Sequence, residues 1–160
     1  MQELPKRKHN RVKHYDYSTS GAYFITICTK DREKIFWEER RGDLWSPASV
    51  PLSEIGIITD REIQKITTIY DAVRVEKYCI MPDHIHMILF IDAATDGRTQ
   101  FAPTISRVVK QFKGIITKKA GRSIWQKSFY DHTIRNQQDY CEIWEYIENN
   151  PAKYAAKTAP

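Results

Sequence analysis

A chain of 160 residues and 18.8 kDa is long enough to bury one hydrophobic core and too short for two. With 41% hydrophobic and 12% aromatic residues, a mean hydropathy of −0.58 and a net charge of +5, it has the material for a packed interior and a wet surface, and no apolar run nears the roughly 20 residues of a membrane helix. Cys28, Cys79 and Cys141 are odd in number and far apart, which excludes a disulfide framework and a C-x-x-C zinc knuckle; the start, MQELPKRKHNRVKHYDYS, has no apolar leader, so a reducing cytoplasm and no membrane partner are expected.

In chain order, residues 1–14 read as a basic arm in which Lys6, Arg7, Lys8, Arg11 and Lys13 face only Glu3, and residues 15–160 as a single domain. AYFITICT (Ala22 to Thr29) is β-branched and aromatic and follows a Ser-Gly turn, the pattern of a strand. A loop from Asp31 to Pro51 follows. Ser53 caps a helix running to about Tyr70, with Ile55, Ile58, Ile66 and Ile69 on its apolar face. VRVEKYCIM is a second strand, broken by Pro82 and Asp83, and HIHMILFI a third. After a loop from Asp92 to Pro103, Thr104 opens a helix with Ile105, Val108, Val109, Phe112 and Ile116 in an apolar stripe and Gly121 as terminator. SIWQKSFYDHTI reads as a further extended segment and NQQDYCEIWEYIENN as a last helix, ending or kinking at Asn150 because Pro151 follows. The order β, α, β, β, α, β, α, with a hairpin between the middle strands, predicts an α+β, ferredoxin-like antiparallel sheet with helices on one face and an added C-terminal helix. The other sheet face is expected to be left for a ligand.

Two places carry chemistry. On the third strand His84 and His86 are two residues apart, so both imidazoles project from one face with roughly 6.5 to 7 Å between Cα atoms, a spacing from which they can share one metal ion. Hydrogen-bonded histidines on a half-buried strand would look the same. On the last helix Tyr140, Ile143, Trp144 and Ile147 form the core stripe, whereas Tyr146 lies about 110° from its centre with Asn150 one turn further on. That placement suits a functional phenol or a surface tyrosine.

Charge adds a third signal. Between Gly97 and Tyr130 stand eight basic residues, Arg98, Arg107, Lys110, Lys113, Lys118, Lys119, Arg122 and Lys127, with no Asp or Glu. They form a solvated basic surface or a polyanion site, in which each neutralised phosphate releases counterions.

The segments YDYSTSGAYFITICT, MPDHIHMILF, SFYDHTIRNQQDY and YIENNP, in this order from about Arg11 to Pro151, resemble the REP-associated tyrosine transposases, single-tyrosine members of the HUH superfamily of single-strand DNA nucleases. The resemblance implies the following roles. His84, His86 and Asn150 would hold Mg²⁺ or Mn²⁺, and Tyr146 would be the nucleophile that forms a 5′-phosphotyrosine. Single-stranded or hairpin DNA made by palindromic repeats would be the substrate, gripped by Lys6, Arg7, Lys8, Arg11, Arg107, Lys110, Lys113, Lys118, Lys119, Arg122 and Lys127, with His132 and Arg135 in structural or DNA-contacting roles. The chain would act as a monomer or homodimer. Tyr154 stands where the family usually has Trp. The alternative is a domesticated hairpin-binding protein without catalysis.

Overall fold

The computed structural model describes residues 21–38, 51–92 and 104–158. In order they form β1 (Gly21–Cys28), a one-turn 3-10 helix (Lys30–Arg32), α1 (Glu54–Ile69), β2 (Val73–Ile80), β3 (His84–Ile91), α2 (Ile105–Ala120), β4 (Tyr130–Ile134) and α3 (Gln137–Thr158). The four strands make one antiparallel sheet in the order β2-β3-β1-β4, the strand order of the ferredoxin-like plan.

The alternation of β3 sorts its side chains onto two faces. Ile85, Met87, Leu89 and Ile91 are fully buried with Tyr23, Ile25 and Ile27 of β1, beneath Ile63 and Ile66 of α1 and Ile105, Val108, Val109, Phe112 and Ile116 of α2. Each such side chain contributes roughly 1.5–3 kcal/mol on burial, so this layer is the stabilising core. Both helices begin as expected: Ser53 Oγ accepts from the Gly56 N–H and Thr104 Oγ1 from the Arg107 N–H. Gly121, at φ 71°, closes α2 in the left-handed conformation.

The opposite face is not left open along its whole width, because α3 lies across it. Ile147 is fully buried there with Cys79, Met81 and Ile88, flanked by Tyr140, Ile143, Trp144 and Tyr154. A β-bulge between Val75 and Lys77 makes this docking possible. Without the extra residue Glu76, Lys77 would follow Val73 and Val75 toward the core; the bulge turns it over, so that its ammonium lies 4.8 Å from the Trp144 ring and 3.4 Å from Glu148 of α3.

Three expectations change. The extended segment from Ser123 shortens to β4. Its first half instead turns inward, with Trp125 buried against Phe36 and Phe112 and its indole N–H donating to the Lys113 carbonyl. The last helix does not stop at Asn150 but carries Pro151 inside it and runs on to Thr158. Proline removes the donor for the Ile147 carbonyl, a loss offset because the following turn is anchored: Tyr154 packs edge-on against Trp37 at 5.4 Å and Ala155 is buried. The first strand ends one residue early, and Thr29 makes an isolated bridge to Trp125 instead.

Gly56 marks a close approach of two backbone segments. A Cβ there would sit 2.1 Å from the Phe36 carbonyl oxygen, which already accepts from the Ser53 N–H at 2.9 Å. Gly56→Ala therefore forces two backbone segments apart and is expected to cost about 1–3 kcal/mol, lowering the thermal midpoint by several degrees. An unchanged melting curve would show that the Phe36 segment yields freely.

Candidate active site

The pairing of β1 with β3 sets Thr26 opposite His86 and Cys28 opposite His84, and β2 sets Cys79 beside His86. Both histidines thus stand on the α3 face, 14% (His84 side chain) and 5% (His86) exposed. Their Nε2 atoms converge to 3.0 Å.

Each imidazole is held from behind at Nδ1. His84 Nδ1 lies 2.6 Å from Asp83 Oδ1, and because a carboxylate only accepts, His84 carries its proton there and points its Nε2 lone pair inward. His86 Nδ1 shares a hydrogen bond with Thr26 Oγ1 at 2.8 Å. Burial lowers the pKa of both rings: His86 falls to about 3, with the neighbouring His84 adding to the shift, and His84 falls despite the opposing pull of Asp83. Two neutral imidazoles with their Nε2 atoms 3.0 Å apart can act as ligands to one cation.

Tyr146 reaches this point from α3. Its Oη lies 3.4 Å from His86 Nε2, its ring is 5.2 Å from the His86 ring and stands edge-on to Phe24 at 6.2 Å, and Phe24 in turn stacks on His86 at 5.3 Å. The tyrosine is 49% exposed, so its hydroxyl borders both the imidazoles and solvent. Asn150, one turn on, is half-buried, and its Nδ2 is a buried polar atom without a partner. An unpartnered amide one helical turn from Tyr146 could serve as a third ligand, since rotating the amide exchanges its nitrogen for an oxygen. Among the described residues no group of three or more His, Cys, Asp and Glu could hold a metal.

Sequence reasoning missed the supports. Thr26, Asp83 and Phe24 lie in strands and turns whose partners are remote in the chain. Arg32 was missed too: its Nε donates to Asp83 Oδ2 at 2.9 Å and its Nη1 reaches Cys28 Sγ at 3.0 Å. The one available signal was Asp83 directly preceding His84.

The basic residues are distributed less simply. Lys6, Arg7, Lys8 and Arg11 lie outside the described residues. Arg107, Lys110, Lys113, Lys118 and Lys119 belong to α2, which packs on the sheet face away from the histidines, so the helix and the imidazoles do not form one surface. Lys113 donates to the Gln126 carbonyl, Lys119 is paired with buried Glu62, and Arg122 holds Glu33 through two contacts of 3.1 Å. Lys127 is exposed. His132 is on the histidine face of β4, opposite Phe24, where it donates to Asp139 at 2.9 Å and ties the strand to α3; Arg135 is exposed just beyond. Tyr130, 48% exposed, stands on the same face.

A ferredoxin-like sheet with converging histidines and an apposed helical tyrosine defines the architecture. The family model "Transposase IS200 like" matches residues 17–150, so the chain belongs to the IS200-like transposases, enzymes that cut and rejoin DNA. Its likeness within that class is to the REP-associated tyrosine transposases. It is 29% identical to a REP-associated tyrosine transposase of Escherichia coli strain K12 over 111 residues, covering 61% of this chain and 63% of that one. An uncharacterized protein of Haemophilus influenzae is 32% identical over 164 residues, covering 91% and 88% respectively. The fold matches the solved structure of a REP-associated tyrosine transposase bound to a REP hairpin with a TM-score of 0.59 at 23% identity, over 90% of this chain and 74% of that one. Among the described residues no helix is long and apolar enough to cross a membrane.

A lowered histidine pKa has a definite sign. The unfolded chain binds the proton near the ordinary pKa of about 6.5, the folded His86 only near 3, so this group's contribution to stability is present above about pH 6.5 and is lost as the pH falls toward 3. In the metal-free protein His86 ring nitrogens followed by NMR are expected to stay at neutral-imidazole positions from pH 8 down to about 5. A midpoint near 6.5 would refute the burial argument.

Proposed function

We propose that the chain is a metal-dependent tyrosine transposase that nicks and rejoins single-stranded DNA at palindromic hairpin repeats through a 5′-phosphotyrosine. The observation that carries this reading is Tyr146 Oη at 3.4 Å from His86 Nε2 within one chain. His84, His86 and Asn150 would hold the cation, Mg²⁺ or Mn²⁺, neutral imidazole and carboxamide suiting several divalent ions. Bound there, it would supply Lewis-acid polarisation of the scissile phosphate.

The rest of the work falls to the side chains. Attack requires Tyr146 Oη to be held in line with the phosphorus. Attack by Oη forms a phosphorus–oxygen bond to the tyrosine and breaks the bond to the 3′ oxygen, and the phenolic proton ends, net, on that oxygen as a free 3′-OH. A second 3′-OH reverses the step without energy input, because the phosphodiester is retained as a phosphotyrosyl ester. Phe24 keeps His86 and Tyr146 in place by stacking on the first and standing edge-on to the second. Tyr130 offers an exposed ring on the same face, on which an unpaired base can stack.

The hairpin is carried over from the complex of the structural neighbour. Because Tyr146 reaches its own chain's histidines, a monomer suffices to assemble the site, and a homodimer is compatible with it. The cytoplasm, on nucleoid DNA, is the proposed place of action. The alternative, a hairpin-binding protein without catalysis, leaves the convergence of Tyr146, His84 and His86 without a use.

The test is a labelled hairpin carrying a single-stranded extension, drawn from repeats flanking the gene and incubated with Mn²⁺. A covalent protein–DNA adduct is expected with the unaltered chain, and none with Tyr146→Phe or in excess EDTA. An adduct that survives Tyr146→Phe overturns the nucleophile, whereas tight binding without cleavage under any divalent ion favours the alternative.

A further inference from the structure

We infer that Arg32 is a phosphate-binding residue at the rim of the histidine site, contacting a non-bridging oxygen of the DNA strand with the edge of its guanidinium that the protein leaves unengaged. The inference rests on the reading that DNA lies on the histidine face.

The backbone gives the first reason. Asp31 and Arg32 are consecutive non-glycine residues in the left-handed region, at φ 54° and 57°. Such a pair persists only where its surroundings over-determine it, and such strain gathers at functional sites. Here the turn is fastened to the loop that carries Asp83. The Thr29 N–H donates to the Asp83 carbonyl at 2.9 Å, and the buried Thr29 hydroxyl lies 2.9 Å from that oxygen and 2.8 Å from the Glu33 carbonyl. The Phe36 N–H donates to the Pro82 carbonyl at 3.1 Å. A strained turn is thus spent on aiming one long cationic side chain at the start of β3.

The guanidinium gives the second. Of its five N–H groups, Nε uses one on Asp83 Oδ2 and Nη1 one on Cys28 Sγ. The nearest ring nitrogen to Nη2 is His84 Nδ1 at 3.4 Å, but that nitrogen carries the proton it gives to Asp83, so Nη2 meets an N–H and gains no acceptor. Its donors are spare, the side chain is 52% exposed, and the open edge lies 3.4 Å from the His84 ring at Nδ1. A planar fork of spare N–H groups at that place is matched to a phosphate oxygen, and the fixed Nε contact orders the side chain before the strand arrives. A side chain that only braced Asp83 would not need those donors to face solvent.

The experiment measures two quantities on the wild-type chain, Arg32→Ala, Arg32→Lys and Asp83→Asn: hairpin affinity by fluorescence anisotropy across a salt series in EDTA, and Mn²⁺ affinity by calorimetry without DNA. Arg32→Ala is expected to weaken the hairpin about 10-fold and to reduce the slope of log K against log salt by about 0.7 to 0.9, one phosphate's share. Arg32→Lys restores the slope, and Asp83→Asn weakens Mn²⁺ about 10- to 100-fold with the slope unchanged. Arg32→Gln serves for the slope should the alanine variant not fold. An unchanged slope in the Ala or Gln variant overturns the assignment and makes Arg32 a positioning residue acting through Asp83. If the wild-type chain binds no hairpin, the transposase reading itself fails.

Discussion

The register between β1 and β3 is the constraint on which the site depends. Thr26 faces His86 and Cys28 faces His84 while Ile25, Ile27, Ile85 and Ile91 on the reverse of both strands are buried in the core. A slip of one residue would carry both imidazoles into the apolar core and expose Ile85 and Met87 to α3. The energy that fixes the placement of the histidines is therefore supplied on the opposite side of the sheet. The histidines inherit their positions from that packing.

A second consequence of the same packing is electrical. Because the imidazoles are buried they stay neutral, and because Asp83 accepts the His84 Nδ1 proton the His84 Nε2 lone pair faces His86 Nε2. On α3, the Asn150 Nδ2 is buried without a partner, a group that rotation of the amide would replace with an oxygen.

The helix that brings Tyr146 to the imidazoles is held by other contacts: Lys77 over Trp144, Ile147 among Cys79, Met81 and Ile88, and Tyr154 against Trp37. These contacts explain why Pro151 is tolerated within α3. They also turn Tyr146 and Asn150 toward the flank of the helix, where the first meets the imidazoles.

Much of this was legible in the chain itself. The period-2 alternation of HIHMILFI dictates that both histidines share a face, and helical periodicity dictates that Tyr146 and Asn150 leave the core stripe together. Ser53, Thr104 and Gly121 announced helix ends because capping is a local hydrogen-bond matter. What only the tertiary structure decided depends on residues far apart in sequence. These are the bulge that turns Lys77 over, the inward turn of Trp125, the seating of α2 behind the sheet away from the imidazoles, and the assembly of Thr26, Asp83 and Arg32 around the histidines. Local patterns report which face a side chain takes; which partner waits there is set by strand pairing and packing, whose free energy is spread over the whole core.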